Sequence, residues 1–210
     1  MSGANADVRR LVLVLFSDLP ESELPRDVVK ESVGGHPSFE TILRLFHKKV
    51  FNLAYRLLGN HDEAADLTQE TFIKAYKAYS RFRGEADAVY PWLCRITVNA
   101  CKNRFREMER QNRHEGPSLD HSAAGEFEIG DTHADPADVV QRQDLEARVQ
   151  DTILNLPPEF RVVVILRDMQ GLSYKEVADA TGLTMETVKA RLFRGREILR
   201  RKFAPYLEQQ

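Results

Sequence analysis

The chain is poor in the residues that usually announce a chemistry. Only two cysteines, Cys94 and Cys101, occur among 210 residues. If both sit on one helix, their seven-residue step separates them by roughly 10 Å, too far for a disulfide. They read as ordinary reduced thiols. A metal site lacks ligands, because His114, His121 and His133 fall in a loop-like stretch without tight spacing. No segment approaches the ~20 apolar residues that cross a bilayer. The apolar run Leu11–Phe16 is only six residues long, follows a mixed-charge flank and leads to no small-residue cleavage site, so it is not read as a signal peptide. Net charge is −2, and a nucleic-acid partner would have to be met by a segregated patch rather than by a global basic excess. No nucleophile with a paired base and no Gly-rich phosphate loop occurs. The expectation is a cytoplasmic protein that is not an enzyme, with no cofactor, no metal, no small-molecule substrate and no membrane insertion.

What is present is helical periodicity. Hydrophobic residues make up 42% of the chain, enough for one or two small domains. Residues 1–37 read as an extension ending at the Gly34-Gly35-His36-Pro37 break. Phe39, Ile42, Leu43, Phe46, Val50, Leu53, Ala54, Leu57 and Leu58 then trace an amphipathic helix that Gly59 stops. Asn60 and Glu63 open a second helix to about Phe82, with Phe72, Ala75, Tyr76 and Tyr79 facing inward. A loop over 83–87 precedes a third helix, which starts between Asp87 and Pro91 and runs to about Met108. Between 109 and 143 the pattern dissolves into Gly, Pro, Ser, Asp and His, with acids outnumbering bases, as in a flexible acidic linker. Helices resume from about Asp144 to Leu156, and after the Pro157-Pro158 break to about Met169. The fold class is all-α, two small helical domains joined by a linker, with domains at 38–108 and 144–206.

The most specific stretch is Leu172 to Leu199. Ser173 with Glu176 forms a capping box, Val177, Ala178 and Ala180 supply small packing, and Gly182 ends the helix. Thr184 caps the next helix, whose Val188, Leu192, Gly195 and Leu199 recur at helical spacing and face inward. Glu186, Lys189, Ala190, Phe193 and Arg194 lie opposite. From Lys189 to Lys202 there are seven Lys or Arg and one acid, Glu197. A charge run alone is usually a solvated face. On the second helix of a helix-turn-helix, it stands where groove-reading residues stand.

Two faces of the first block carry more than packing. Asp66, Gln69, Glu70 and Lys77 share one side of the second helix, and the like-charge Asp66/Glu70 step suggests a basic partner, although Glu70 with Lys74 is also a favourable pair. On the third helix, Arg95, Asn99, Lys102 and Arg106 make a stripe of donors and cations without an acid, suited to phosphates or base edges. Phe82, Tyr90 and Trp92 bracket the adjacent polar loop, where exposed aromatics could stack unpaired bases.

Over residues 38–206 the sequence resembles bacterial RNA polymerase sigma factors of the extracytoplasmic-function type. Asp66-Leu67-Thr68-Gln69-Glu70-Thr71-Phe72 resembles the polymerase-binding segment of that family. Phe82-Arg83-Gly84 and Trp92 to Asn103 resemble its minus-10 segment. Leu156-Pro157 through Arg167, followed by Gly171-Leu172-Ser173-Tyr174, resembles its C-terminal domain. The resemblance implies sigma domain two in the first block and sigma domain four in the second. It also implies two partners, promoter DNA and core RNA polymerase (the β′ clamp helices and the β flap), with an anti-sigma factor as a third. It assigns Asp66, Gln69, Glu70, Phe72 and Lys74 to polymerase binding. Arg83, Tyr90, Trp92, Arg95, Asn99, Lys102, Asn103 and Arg106 would serve the minus-10 element, where the 83–89 loop with Asn99 and Asn103 would hold a flipped base. Thr184, Glu186, Lys189, Ala190, Arg191, Phe193, Arg194 and Arg196 would serve the minus-35 element, with Arg191 and Arg196 placed for phosphates. Two other readings stand beside this one. A two-domain helix-turn-helix regulator binding operators without polymerase explains Leu172–Leu199 equally well, but leaves Asp66–Phe72 and the Arg95 stripe unexplained. An adaptor making only protein contacts leaves the clustered cations unexplained.

Overall fold

The computed structural model describes residues 37–115 and 147–207. The Leu11–Phe16 run, most of the 109–143 linker and the side chains of His114, His121 and His133 lie outside the described residues. Among the described residues there are helices and no strands.

Helix α1 spans Phe39–Leu58. Ser38 Oγ accepts the Thr41 amide at 3.2 Å, and Gly59 ends the helix at φ 77°, a left-handed conformation that favours glycine. Helix α2, His61–Tyr79, starts under the side chain of Asn60, which accepts the Glu63 amide at 3.0 Å. It stops before the expected Phe82. The two form an antiparallel hairpin. A 3₁₀ turn, Ala86–Ala88, then feeds α3, Val89–Glu115, with Pro91 in its first turn. Helix α3 runs past the expected Met108, so the first residues assigned to the linker are helical. Ile42, Val50, Leu53 and Leu57 from α1, Leu67 from α2 and Leu93 and Val98 from α3 are fully buried and form the centre of this block.

The second block holds α4 (147–154), α5 (Pro158–Val164), α6 (Tyr174–Thr181) and α7 (Met185–Leu207). Periodicity implied a single α-helix to Met169. Instead α5 passes into a π-helical turn, Ile165–Met169, closed by a 2.9 Å bond from the Gln170 amide to the Ile165 carbonyl. Four of its five residues, Ile165, Leu166, Asp168 and Met169, are buried, more than one face of an α-helix could bury. The widened turn thereby points an acid inward.

The two blocks are in contact. Helix α6 lies on α3, and the π-turn reaches α1. Polar bonds cross the boundary: Tyr90 Oη donates to Gln170 Oε1, Lys102 Nζ to the Thr181 carbonyl at 2.5 Å, Arg161 Nη1 to the Leu57 carbonyl at 2.9 Å, and Gln150 Nε2 to the Tyr55 carbonyl at 3.3 Å. Gly59 also faces this boundary, where a Cβ would come within 2.5 Å of Leu154.

Cys94 and Cys101 are free and buried on α3, and burial pushes both thiols up to about 12. Neither should react with an aromatic disulfide reagent at pH 8 in the native protein, and both should react in denaturant. Stoichiometric labelling of native protein at the denatured rate would contradict the burial. Because each folded-state pKa lies above the ordinary thiol value of about 8.5, the stabilisation from keeping the protons is complete below that value. It is lost as pH rises towards 12.

Candidate nucleic-acid interface

The helix-turn-helix is built by local chemistry. Ser173 Oγ accepts the Glu176 amide at 3.2 Å, and Glu176 Oε2 accepts the Ser173 amide at 2.6 Å, so two orphan amides are satisfied reciprocally. Gly182 takes φ 71° at the turn. Thr184 Oγ1 accepts the Thr187 amide at 3.2 Å and meets the Thr187 hydroxyl, so its first role is as a cap. Val188, Leu192 and Leu199 of α7 are buried. Gly195 permits close approach to α5, since a Cβ there would fall 2.8 Å from a Val164 methyl.

The outward side of α7 matches expectation. Glu186, Lys189, Ala190, Phe193 and Arg194 are exposed, with Arg191 half-buried on the flank. Phe193 stands 62% exposed among cations. Arg196 does not belong with them. Its guanidinium grips Asp168 in two bonds, Nε to Oδ2 at 2.9 Å and Nη2 to Oδ1 at 2.5 Å, and the partners are 14% and 4% exposed. The hydrogen bond to Asp168 raises the Arg196 pKa against the opposing effect of burial, so the charge is retained and spent internally. Arg196 bridges α7 and the π-turn, with its guanidinium held by Asp168.

The α3 stripe divides as well. Arg95, Asn99, Asn103 and Arg106 are exposed, with Arg106 Nη1 donating to Asn103 Oδ1 at 3.3 Å. Lys102 is partly covered and bonded to Thr181, and its pKa is lowered by burial and by the neighbouring charges of Arg106 and Arg191. Tyr90, expected beside DNA, is 5% exposed. It stacks on Phe46 at 5.5 Å and holds Gln170. Trp92 is half-buried against Phe82 and Tyr79, with ring centroids 4.9 and 6.2 Å away. Arg83 is exposed and folds back on the carbonyls of Ser80 and Phe82.

On α2, Asp66 and Gln69 are exposed. Glu70 is bonded to Lys74 at 2.5 Å and lies 3.7 Å from Arg104, so the like-charge step is relieved within the chain. Phe72 is 6% exposed, packed edge-on against Phe39 and stacked on His47; its ring is core that also floors a surface groove. Tyr76, expected inward, is 68% exposed, and Ile73 and Leu43 beside it are 48% and 39% exposed. Together with Phe39, His47 and Phe51 they line a groove of about 590 Å³ between α1 and α2.

Three residues of the second block, Arg161, Asp168 and Gln170, carried no sequence-derived role. A signal existed for Asp168, a lone acid after the apolar run Val162–Leu166. Arg161 looked like any surface cation, yet its guanidinium also binds the carbonyls of Leu154 and Leu156.

Comparison with known proteins accounts for both blocks in order. The Sigma-70 region 2 family model matches residues 42–111, and the Sigma-70, region 4 model matches residues 146–199. The RNA polymerase sigma-H factor of Pseudomonas aeruginosa is 35% identical over 182 residues, covering 84% of this chain and 91% of that one. The chain belongs to the extracytoplasmic-function sigma factors. The sigma-E factor of Escherichia coli is 35% identical over 192 residues, covering 88% of this sigma factor and 97% of that one. Two solved structures share the fold. The sigma factor RpoE in complex with the anti-sigma factor NepR from Bartonella quintana has a TM-score of 0.63 at 24% identity, covering 78% of this chain and 94% of that chain. CnrH in complex with the cytosolic domain of CnrY has a TM-score of 0.53 at 20% identity, covering 97% and 99%. As a sigma factor the protein binds core RNA polymerase and directs it to promoter DNA. The operator-binding regulator is thereby set aside, because it left the region 2 block without a role.

Proposed function

We propose that the two outward faces divide promoter reading between them. Lys189, Ala190, Phe193 and Arg194, with Glu186, Thr184 and the flanking Arg191, face the minus-35 element, and Lys189 is nearest the base edges. Arg95, Asn99, Asn103 and Arg106, with Arg83 and the half-buried Trp92, face the minus-10 element. Asp66 and Gln69, with the tethered Glu70 and Lys74, meet the β′ clamp helices, while the β flap holds domain four. The observation that carries this reading is the outward side of α7, where cations and one large aromatic are exposed while every residue of the 188/192/195/199 row is buried.

Lys102 adds a condition. In the closed arrangement its ammonium group is bonded to the helix-turn-helix itself, so use of the whole α3 stripe requires α6 to leave α3. Polymerase, by holding the two domains at fixed separate positions, favours that opening and gives two weak DNA contacts a shared effective concentration. The sigma factor works in the cytoplasm and performs no chemistry of its own. The structural relatives solved with anti-sigma proteins support an anti-sigma partner for this chain as well.

The test is reconstituted transcription with core RNA polymerase and a promoter library. Addition of the protein should make initiation sequence-specific. Lys189→Ala should reduce use of the preferred minus-35 sequence by about 5- to 150-fold, the effect of about 1–3 kcal/mol for one base contact. Unchanged selectivity would remove Lys189 from base reading. Operator-like binding without core, and no specific initiation with it, would overturn the division of faces.

A further inference from the structure

The α1–α2 groove is an apolar surface that no residue of the second block lines. Three large side chains, Leu43, Ile73 and Tyr76, are exposed along it, close enough to form one continuous patch of the kind that marks a binding site. The chain preceding the described residues enters at the end of this same groove. Pro37 is buried, its carbonyl accepts the hydroxyl of Tyr79, and Phe39 is the first groove residue. We propose that the apolar run Leu11–Phe16 docks in this groove in cis.

Reach, composition and charge all agree with that occupant. Ser17 to His36 is a tether of 20 residues, with a root-mean-square span of about 25 Å as a coil. The groove from Phe39 to Phe51 follows α1 for about 18 Å. Leu-Val-Leu-Val-Leu-Phe supplies six consecutive apolar side chains for a surface whose exposed members are Leu, Ile and Tyr. The charges nearest the run are also polarised in the sense that the groove requires. Arg9 and Arg10, with Asp7 beyond them, precede it, and Asp18, Glu21 and Glu23 follow it before Arg26. At the far end of the groove, exposed Asp62 and Asp66 lie one turn from Ala65 and Gln69, while Lys77 lines the end near Pro37. Laid with Phe16 towards Pro37, the run places its cations on the acids and its acids near the lysine. That is also the direction in which the tether closes most easily. A short tether gives the run an effective concentration of order millimolar, enough for a small apolar contact to persist.

The docked run would lie over Gln69 and beside Asp66, and so would compete with polymerase for that face; this consequence rests on the polymerase assignment above, whereas the docking does not. The test uses the full chain carrying Leu13→Cys and Ile73→Cys, the native thiols being buried and unreactive. Under mild oxidation an intramolecular disulfide should form about tenfold or more faster than in Leu13→Cys/Arg81→Cys, whose second site is exposed but outside the groove. Adding Leu11→Asp and Leu15→Asp should bring the rate down to that of the control. Equal rates in the two pairs would overturn the proposal, as would a purely intermolecular disulfide, which would make a second copy the occupant. In a separate measurement on the otherwise native chain, Leu11→Asp/Leu15→Asp should speed capture by core polymerase several-fold. A persistent cross-link with unchanged capture would support the docking and instead remove polymerase from this face.

Discussion

Replacing Arg196 by alanine is expected to destabilise the fold by about 3–5 kcal/mol, the usual consequence of leaving a buried charge without its partner. Asp168 is 4% exposed and is surrounded by the buried side chains of its own π-turn. Both of its oxygens are taken by the guanidinium, and truncation would strand the carboxylate. The double variant Asp168→Leu/Arg196→Met, which removes both charges and restores apolar volume, should recover most of the loss. Urea unfolding of the single and double variants measures each step. A loss below about 1 kcal/mol for Arg196→Ala, typical of exposed pairs, would show that the bridge is dispensable and return Arg196 to the set of phosphate contacts.

That residue also shows what the sequence could and could not disclose. Helix ends were readable because their chemistry is local: Ser173 with Glu176, Asn60, Gly59 and Gly182 each act within a few residues of themselves, and each does so in the structure. The inward row of α7 was readable from its period. Arg196 lies four positions after Leu192 and three before Leu199, so the same period places it at the margin of that row, while the resemblance grouped it with Arg194. What could not be read was the partner. Asp168 faces inward because the π-turn shifts the register after Val164, and no capping or breaking residue marks such a turn in advance. The extension of α3 to Glu115 was missed for the opposite reason. It is polar on every side, so no apolar repeat announced it.

The site residues divide along the same line. Exposed positions with a periodic partner, such as Arg95, Asn99 and Arg106, were placed on an outward face by spacing alone. Tyr90 and Lys102 are covered more than spacing indicated, because their surroundings come from distant elements. Tyr90 is buried by α1 and by Gln170 eighty positions away. Lys102 meets a carbonyl seventy-nine positions away. A helical wheel records the face a residue occupies but not what lies against that face, and here the second block covers part of the first.

The consequence of that cover is measurable at one side chain. Gln170→Ala should shift the balance between closed and open arrangements towards open by about 5- to 150-fold, the equivalent of about 1–3 kcal/mol for a buried donor left unsatisfied. Tyr90 is almost wholly buried, and burial keeps its phenol protonated far above neutral pH, so in the closed form its hydroxyl always has a proton to donate. Gln170 Oε1 receives it, while Gln170 Nε2 has no partner among the described residues. Removing the acceptor leaves the hydroxyl with only the weak sulfur acceptor of Cys94 while the domains are closed, and only opening hydrates it. Tyr90→Phe/Gln170→Leu, which removes both polar groups and keeps the volume, should stay near the native balance. Fluorophores at Lys48→Cys and Glu186→Cys, exposed positions on α1 and α7, report the separation of the blocks, because Cys94 and Cys101 are buried. The single variant should show a longer, broader distance distribution and faster capture by core polymerase, since less of the opening remains to be driven by binding. If the distribution in Gln170→Ala matches the native one, the bond contributes nothing to closure, and the remaining ties, Lys102 to Thr181 and Arg161 to Leu57, must hold the blocks together without it.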